Sequence, residues 1–186
     1  SVGIILDDKA ELTNTGTIEV GSQSTGMYSE DSTAQGITNA GKIKSSGTNS
    51  VGVLYKPKSV PSGTTVSNTG TISLGNQSVG LYGDGTNSKN FVLINSGDIS
   101  VGNQGIGMYG YNAQAAGGTI TVGDKGVGVY SQEGNVDLNG GTITTGEDTA
   151  IGAYILGNGQ TLNSSGTSFK LGKTGIAIVN TGSGNT

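Results

Sequence analysis

Residues 68–82 read NTGTISLGNQSVGLY, and this stretch decides the fold because it recurs along the chain. Its opening phrase, Asn-x-Gly-x-Ile-x-Val-Gly, begins four clear copies and three weaker ones, at Asn14, Asn39, Asn68, Asn95, Ala116, Asn139 and Asn163. Its closing phrase, apolar-Gly-apolar-Tyr, is marked by Gly at positions 3, 26, 52, 80, 107, 128, 152 and 175, with a mean spacing of about 25 residues. Such a period is typical of a unit that cannot bury its own apolar face and stacks on copies of itself.

Apolar and polar residues alternate within each copy, which is the pattern of a half-buried strand. Ile72 and Leu74 therefore share the buried face of one strand, and alternation also turns Val79 and Leu81 inward in the next. The same alternation points their counterparts inward in the following two coils, at Ile106, Met108, Val127 and Val129. A third apolar position precedes the opening phrase, at Leu12, Ile37, Val66, Leu93, Leu138 and Leu162. Three short strands per repeat predict a triangular coil.

These patterns predict an all-β fold, a right-handed parallel β-helix of seven to eight coils with about 25 residues each. Gly, Thr, Ser and Asn fill more than half of the 186 positions, and Gly and Asn are poor helix formers. Parallel pairing would set the coils about 4.8 Å apart, giving a rod on the order of 40 Å long. Residues 1–186 form one β-helix segment, which we expect to belong to a longer repeat-containing protein. Disorder is disfavoured because the apolar residues keep a fixed phase.

Several function classes lack the residues they need. The chain has no Cys, no His and no Arg, so disulfides, thiolate zinc sites and the commonest general base are excluded. A net charge of −4 disfavours nucleic acid as a partner. The longest strongly apolar run, residues 91–94, is far shorter than the ~18 residues of a membrane span, so no membrane insertion is expected. We expect no catalytic residue, no cofactor and no metal.

Two side-chain ladders are predicted at the repeat positions. The recurring asparagines are expected to stack at one corner in left-handed geometry and to bond coil to coil, at Asn14, Asn39, Asn68, Asn95, Asn139 and Asn163. Alternation places the recurring tyrosines in an external or corner stack, at Tyr28, Tyr55, Tyr82, Tyr109, Tyr130 and Tyr154. Coil two carries one additional residue before Tyr55, so a bulge or a reversed side-chain direction is expected there.

The segment after each tyrosine varies most in length, being long in the first three coils and short later. Insertions at one phase of a solenoid emerge along one edge of the rod, and solenoids commonly bind through such an edge. The candidate binding residues there are Lys56, Pro57, Lys58, Val60, Pro61, Asp84, Asn87 and Lys89. The competing interpretation is that these segments are merely tolerated loops.

The opening phrase followed by Ser-x-Gly-Met-Tyr, as in Ser24 to Tyr28, resembles the passenger region of large type V autotransporter adhesins, particularly fusobacterial outer-membrane ones. The resemblance covers essentially all of the chain. It implies a secreted or surface-exposed β-helix stalk that holds adhesive loops away from the cell, tethered to the outer membrane through a C-terminal region outside this sequence. The implied partners are host-cell or bacterial surface proteins or glycans. The absence of cysteine agrees with export of an unfolded chain.

An enzyme is the main alternative, since parallel β-helices also include carbohydrate-active enzymes. Their sites need acids clustered with Arg, Lys or His on one face, and here the acids fall at unrelated phases of the repeat. A structural and adhesive role, associated with cell attachment and virulence, is therefore the preferred interpretation. Unpaired strand edges on the terminal coils would also allow end-to-end self-association of the isolated segment.

Overall fold

The computed structural model describes residues 1–6, 11–30, 36–57, 60, 63–84 and 88–186. The strands are β1 Val2–Leu6, β2 Leu12–Asn14, β3 Thr17–Glu19, β4 Thr25–Ser29, β5 Gly36–Asn39, β6 Lys42–Ser45, β7 Val51–Tyr55, β8 Thr64–Asn68, β9 Thr71–Leu74, β10 Val79–Gly83, β11 Phe91–Asn95, β12 Asp98–Val101, β13 Ile106–Gly110, β14 Asn112–Val122, β15 Val127–Gln132, β16 Val136–Thr145, β17 Ile151–Leu156, β18 Leu162–Ser164, β19 Ser168–Lys170 and β20 Ile176–Thr181. Among the described residues, the one helical element is the 3-10 turn Ser88–Asn90, and no helix is long and apolar enough to cross a membrane.

All strand pairs are parallel, and each strand lies over the equivalent strand of the previous coil. The first sheet has eight strands in the order β1-β4-β7-β10-β13-β15-β17-β20. The second runs β2-β5-β8-β11 and continues into the first half of β14, whereas β3, β6, β9 and β12 form the third together with its second half. The predicted right-handed β-helix with coils of about 25 residues is thereby confirmed, with about seven turns. Eight strands place the outermost ones about 34 Å apart.

The core is a set of identical columns running along the rod. In the third sheet, Ile43, Ile72, Ile99, Ile120 and Ile143 lie in register, and each is at most 1% exposed. Burying one isoleucine side chain contributes about 1.5–3 kcal/mol, and equivalent residues of the neighbouring coils lie directly above and below the inner members of this column. The stability of one coil therefore depends on its neighbours.

An asparagine ladder closes the corner between the second and third sheets in the first four coils. Asn14 Nδ2 donates to Asn39 Oδ1, Asn39 Nδ2 to Asn68 Oδ1, and Asn68 Nδ2 to Asn95 Oδ1, each at 2.8 Å. All four side chains are buried. Each amide also donates to the carbonyl of the glycine two residues later, for example Asn95 Nδ2 to the Gly97 oxygen at 2.8 Å. The ladder thus bonds coil to coil and also holds the turn.

The prediction was wrong for the last two members of this ladder. In the fifth and sixth coils β14 and β16 continue through the corner, and Asn95 is followed in register by Ala115, then Leu138. Asn139 lies one residue beyond this column and Asn163 one residue before it, and both are exposed. Small and aliphatic side chains fill the column there, and the two later asparagines bond outside it. Asn163 Nδ2 donates to Asp137 Oδ1 at 2.8 Å, and Asn139 Oδ1 accepts from the Ser165 hydroxyl at 3.3 Å.

The predicted left-handed backbone geometry was wrong for the ladder asparagines. The ladder asparagines do not have positive φ. Six left-handed residues that are not glycine lie between the third and first sheets, at Gln23, Asn49, Gln77, Gln104, Lys125 and Thr149, and Glu133 lies at the corner between the first and second sheets. In the first four coils the asparagine side chain satisfies its own turn by hydrogen bonding, so the backbone there needs no left-handed residue. In the later coils the left-handed residue of that corner is a glycine, at Gly118, Gly141 and Gly166.

A column of glycines breaks the alternation in the first sheet. A Cβ on Gly80 would lie 2.5 Å from the Gly107 oxygen and 2.6 Å from Ile99 Cγ2, and equivalent contacts recur in neighbouring coils. Gly80 and Leu81 are both buried, whereas Val79 and Tyr82 are both partly exposed. The prediction that Val79, and with it Ile106 and Val127, points into the core was therefore wrong. In the last coil Ala177, not Gly175, takes the column position.

Candidate functional site

The long connections gather at the corner between the first and second sheets, which we call the loop edge. They are residues 30–35, 56–63 and 84–90 in consecutive coils, whereas a single residue, Tyr111, joins β13 to β14. The later connections, 133–135 and 157–161, are also short. The connections at the loop edge therefore contain more residues in the second to fourth coils than in the later ones. Lys58, Pro61 and Asn87, three of the predicted binding residues, lie outside the described residues.

The first predicted loop folds partly against the rod. The Lys56 amide donates to the Ser29 carbonyl at 2.9 Å, so the chain continues the parallel ladder one residue beyond β7. Pro57 is buried, and Val60 packs against the hydrophobic core. The Lys56 side chain is exposed, and its Nζ lies 3.3 Å from Asp84 Oδ2. The structure thus presents the lysine to solvent and uses Pro57 and Val60 as anchors.

The second predicted loop is connected to both of its neighbours. Asp84, which pairs with Lys56, also accepts a hydrogen bond from the Tyr82 hydroxyl at 3.5 Å. Lys89 lies on the 3-10 turn, and its Nζ is 3.5 Å from Glu133 Oε2, two coils further along the rod. Asn112 Nδ2 donates to the Lys89 carbonyl at 2.8 Å. Lys56, Asp84 and Lys89 therefore lie along one edge, each with a partner of opposite charge.

Tyr55 supports the loop edge from inside. Coil two accommodates its additional residue without a bulge. Leu54 pairs with Tyr28 and Tyr82 and takes the position of the tyrosine, so the side chain of Tyr55 points to the opposite face from the other tyrosines of the stack. Tyr55 thus leaves the predicted tyrosine stack and is fully buried. Its ring meets that of Phe91 edge to face with centroids 5.1 Å apart. Glycine at position 83 allows this packing, because a Cβ there would lie 2.4 Å from the Phe91 ring.

The other five tyrosines of the predicted stack occupy one row on the outside of the first sheet. Tyr109, Tyr130 and Tyr154 stack with their rings nearly parallel, at centroid distances of 5.0 and 5.2 Å. Tyr82 meets Tyr109 edge to face at 5.0 Å. Leu54 separates Tyr28 from this group. The predicted external stack therefore exists for four members, with Tyr28 in the same row.

The phenol groups bond to the residues of the loop edge. The Tyr28 hydroxyl donates to Glu30 Oε2 at 2.9 Å, and the Tyr109 hydroxyl donates to Gln132 Oε1 at 3.0 Å. Burial raises the pKa of Tyr28 above its ordinary value, and the neighbouring carboxylate of Glu30 adds to the effect. Burial also raises the pKa of Tyr82, with Asp84 as the second cause. These hydroxyls stay protonated donors at neutral pH and are not activated nucleophiles.

An aliphatic row lies beside the tyrosine row and completes what we call the outer face. It consists of the residue three positions before each tyrosine-row member, namely Val2, Thr25, Val51, Val79, Ile106, Val127, Ile151 and Ile176. All eight are partly or fully exposed. The described part of the chain places no strand over this face. The alternating pattern of the sequence did not predict this face, because in each coil the column glycine and the residue after it both point inward.

A second polar ladder, which the repeat analysis missed, runs along the left-handed corner. Asn76 Oδ1 accepts from the Asn103 amide at 2.9 Å, and Asn103 Oδ1 accepts from the Asp124 amide at 3.0 Å. Gln77 Nε2 donates to Gln104 Oε1 at 3.1 Å. A shallow polar groove lies over these side chains and Thr48. The recurring Gly-Asn-Gln triplet, at 75–77 and 102–104, was the signal that could have revealed it.

The described residues contain no group of three acidic side chains close enough to hold a metal ion. Carboxylates along the loop edge are dispersed, with Glu30, Asp84 and Glu133 each bonded to a different partner. What this edge offers is a row of exposed charged and polar side chains on a rigid support. Comparisons with protein-family models, with characterised proteins and with solved structures yield no match to this chain.

Proposed function

We propose that this chain is a structural and binding segment of a bacterial surface adhesin of the autotransporter type. In this role the regular coils set length and stiffness, and the loop edge contacts a protein or glycan on a host cell or on another bacterium. The segment works outside the cell, tethered to the outer membrane through another part of its protein. It acts by binding and not by catalysis.

The observation that carries the proposal is the in-register stacking of the coils with the long connections collected on one edge. A solenoid stabilised by nearest-neighbour contacts resists bending along its length, and loops held on such a support lose little freedom on binding. Lys56 and Lys89 are exposed, yet each is held near a carboxylate. Pro57 is buried and Val60 packs on the core, which fixes the loop from below.

The second candidate function is that of a carbohydrate-active β-helix fragment, because enzymes of this class share the fold. The observation that favours this function is the row of tyrosine hydroxyls and carboxylates on one side of the rod, which includes Tyr28 with Glu30 and Tyr82 with Asp84. The raised pKa of both phenols opposes a role as a general base.

The test is attachment of beads coated with the whole chain to epithelial cells and to bacteria. Lys56→Ala is compared with Lys44→Ala, a matched control, because both lysines are more than half exposed and both are paired with an acid. We expect attachment that falls at least threefold with Lys56→Ala and stays unchanged with Lys44→Ala. Absence of attachment by the unmodified chain, or release of oligosaccharides from an acidic polysaccharide, would overturn the adhesin proposal.

A further inference from the structure

The outer face of the first sheet is a continuous, mostly apolar surface over which the described part of the chain places no strand. Ile5, Leu54 and Val179 complete the tyrosine row, so each of the two rows has eight positions. Fifteen of the sixteen are aliphatic or Tyr, and the remaining one is Thr25. Exposure is high at its ends, where Ile5 is 60% and Ile176 is 48% exposed. Seven coil spacings of about 4.8 Å and a width of about 15 Å give it an area on the order of 500 Å². A patch of this size is comparable to the largest apolar patch of a typical monomer, and such patches are often functional.

We propose that a second copy of this chain packs on the outer face, with the two rods side by side and pointing in the same direction. This inference rests on the fold and stands independently of the proposed adhesive role. Pairing two such faces buries on the order of 1,000 Å², which is less than the roughly 1,200–2,000 Å² of stable interfaces and falls among weak, transient ones. We therefore expect a reversible dimer rather than a permanent one.

Matching periodicity favours a second solenoid as the occupant. The face repeats at the coil spacing, with tyrosine ring centroids 5.0–5.2 Å apart. A second copy has the same repeat by construction, so a contact that forms at one coil forms at every coil. A helix, with a 5.4 Å pitch and one stripe of side chains, would lose register along the rod.

The relative height of the two rows favours the parallel orientation. A two-fold axis along the rods places the tyrosine row of each copy over the aliphatic row of the other, so tall side chains face short ones. In coil four, Tyr109 would then lie over Ile106 of the other copy. An antiparallel pair would instead place tyrosine on tyrosine and valine on valine. Alternating large and small side chains across facing positions is the arrangement that fills space between layers.

Charge also permits this arrangement. In the parallel pair the loop edge of one copy lies beside the left-handed corner of the other. Coil by coil, this places Glu30 beside Gln23, Lys56 beside Asn49, Asp84 beside Gln77 and Gln132 beside Lys125. No two like charges meet in these pairs, and charged side chains remain at the rim, as they do in protein interfaces.

A glycan is a poorer occupant for this face. Sugars bind aromatic side chains by lying against the flat face of the ring, but the rings of Tyr109, Tyr130 and Tyr154 already cover one another, with interplanar angles of 12° and 5°. Their edges point outward, and the Tyr109 hydroxyl is bonded to Gln132. Ring edges and aliphatic side chains together suit an apolar protein surface.

The test is sedimentation equilibrium of the whole chain over a wide concentration range. We expect a monomer–dimer equilibrium that Ile106→Lys weakens at least tenfold, because it buries a charge at the centre of the interface. Ser100→Lys, an exposed position of the same coil in the third sheet, is the matched control and leaves the equilibrium unchanged. Circular dichroism of both variants verifies that the β-helix is retained. A chain that stays monomeric throughout, or a dimer that Ile106→Lys does not weaken, would overturn the proposal.

Orientation is tested by cross-linking, which is unambiguous because the chain has no cysteine. Ile106→Cys and Tyr109→Cys are each prepared alone and mixed, then treated with a short bis-maleimide reagent. The parallel arrangement gives at least threefold more cross-linked dimer in the mixture than in either variant alone, since unlike rows face each other. More product from either variant by itself would contradict the parallel arrangement. Dimers that fail to cross-link in every combination would place the contact elsewhere and overturn the proposal.

Discussion

Asn68 Nδ2 donates to Asn95 Oδ1 at 2.8 Å, although 27 residues of chain separate the two side chains. Neither asparagine is exposed, and each bonds to a neighbouring coil and to its own turn. A buried amide without these partners would destabilise the folded state by about the full free energy of desolvating that amide. The ladder therefore specifies which coil lies on which, in addition to stabilising the corner.

Replacing one member of the ladder tests this role. Asn68→Ala removes the bond to Asn95 and takes from Asn39 Nδ2 its acceptor at 2.8 Å, leaving only the longer bonds to the Gly41 and Thr71 carbonyls. We expect a loss of about 2–4 kcal/mol in the free energy of unfolding, measured by urea denaturation. Asn163→Ala, at an exposed asparagine outside the ladder, is the control and should change stability by less than about 0.5 kcal/mol. Equal effects of the two changes would contradict a special role for the ladder.

The glycine column makes a sharper steric prediction. Gly80→Ala would place a methyl group 2.5 Å from the Gly107 oxygen, and neither backbone can move without shifting a whole coil. We expect a loss of at least about 1–3 kcal/mol, read from thermal unfolding. Gly21→Ala is the matched control, because a Cβ there meets no atom within 4 Å. If Gly80→Ala were as stable as Gly21→Ala, the close coil-to-coil approach described above would be incorrect.

The two environments of tyrosine give a third prediction. Tyr55→Ala opens a cavity beside Phe91, and removal of a fully buried aromatic side chain costs about 3–5 kcal/mol. Tyr28→Ala removes a partly exposed ring that Leu54 separates from the stack, so a loss of about 1 kcal/mol is expected. Unfolding of the two variants in guanidinium chloride measures the difference. A larger loss for Tyr28→Ala would reverse the assignment of Tyr55 to the core.

Stability should fall in alkaline solution. Burial raises the pKa of Tyr109 and of Tyr130 in the folded chain, with the adjacent tyrosines as further causes. A raised pKa means that the folded state holds the proton more tightly, so its contribution is complete below about pH 10 and is lost as pH rises through the folded value. The free energy of unfolding, measured at about pH 8 and about pH 11, is expected to be lower at the higher pH.

Substituting Phe for Tyr109 and Tyr130 provides the control for this titration. The double variant keeps the stacked rings but has two fewer groups to ionise, so its stability should depend less steeply on pH above about pH 10. Spectroscopic titration of tyrosinate would follow ionisation directly. An unchanged slope in the double variant would assign the alkaline loss to other groups.

The repeat phrase alone was sufficient to predict the fold, because each coil of a solenoid has the same pattern of apolar, polar and turn residues and the sequence therefore repeats at the length of one coil. Ile72, Ile99 and Ile120 are buried in one column as alternation requires. The reversed direction at Tyr55 was also foreseeable, since one additional residue changes the face of every side chain after it. Where the repeat is regular, the position of a residue within the repeat is enough to predict whether its side chain is buried.

Tertiary structure decided the features that depend on contacts between coils. Asn139 and Asn163 match the repeat phrase but miss the ladder by one residue in opposite directions, because β14 and β16 pass through the corner as continuous strands. Val79 is outside the core because the glycine after it is pressed against the next coil, a constraint that no single repeat contains. The period of this chain thus determined how it coils, whereas the close approach of one coil to the next determined which side chains it buries and which face it leaves exposed.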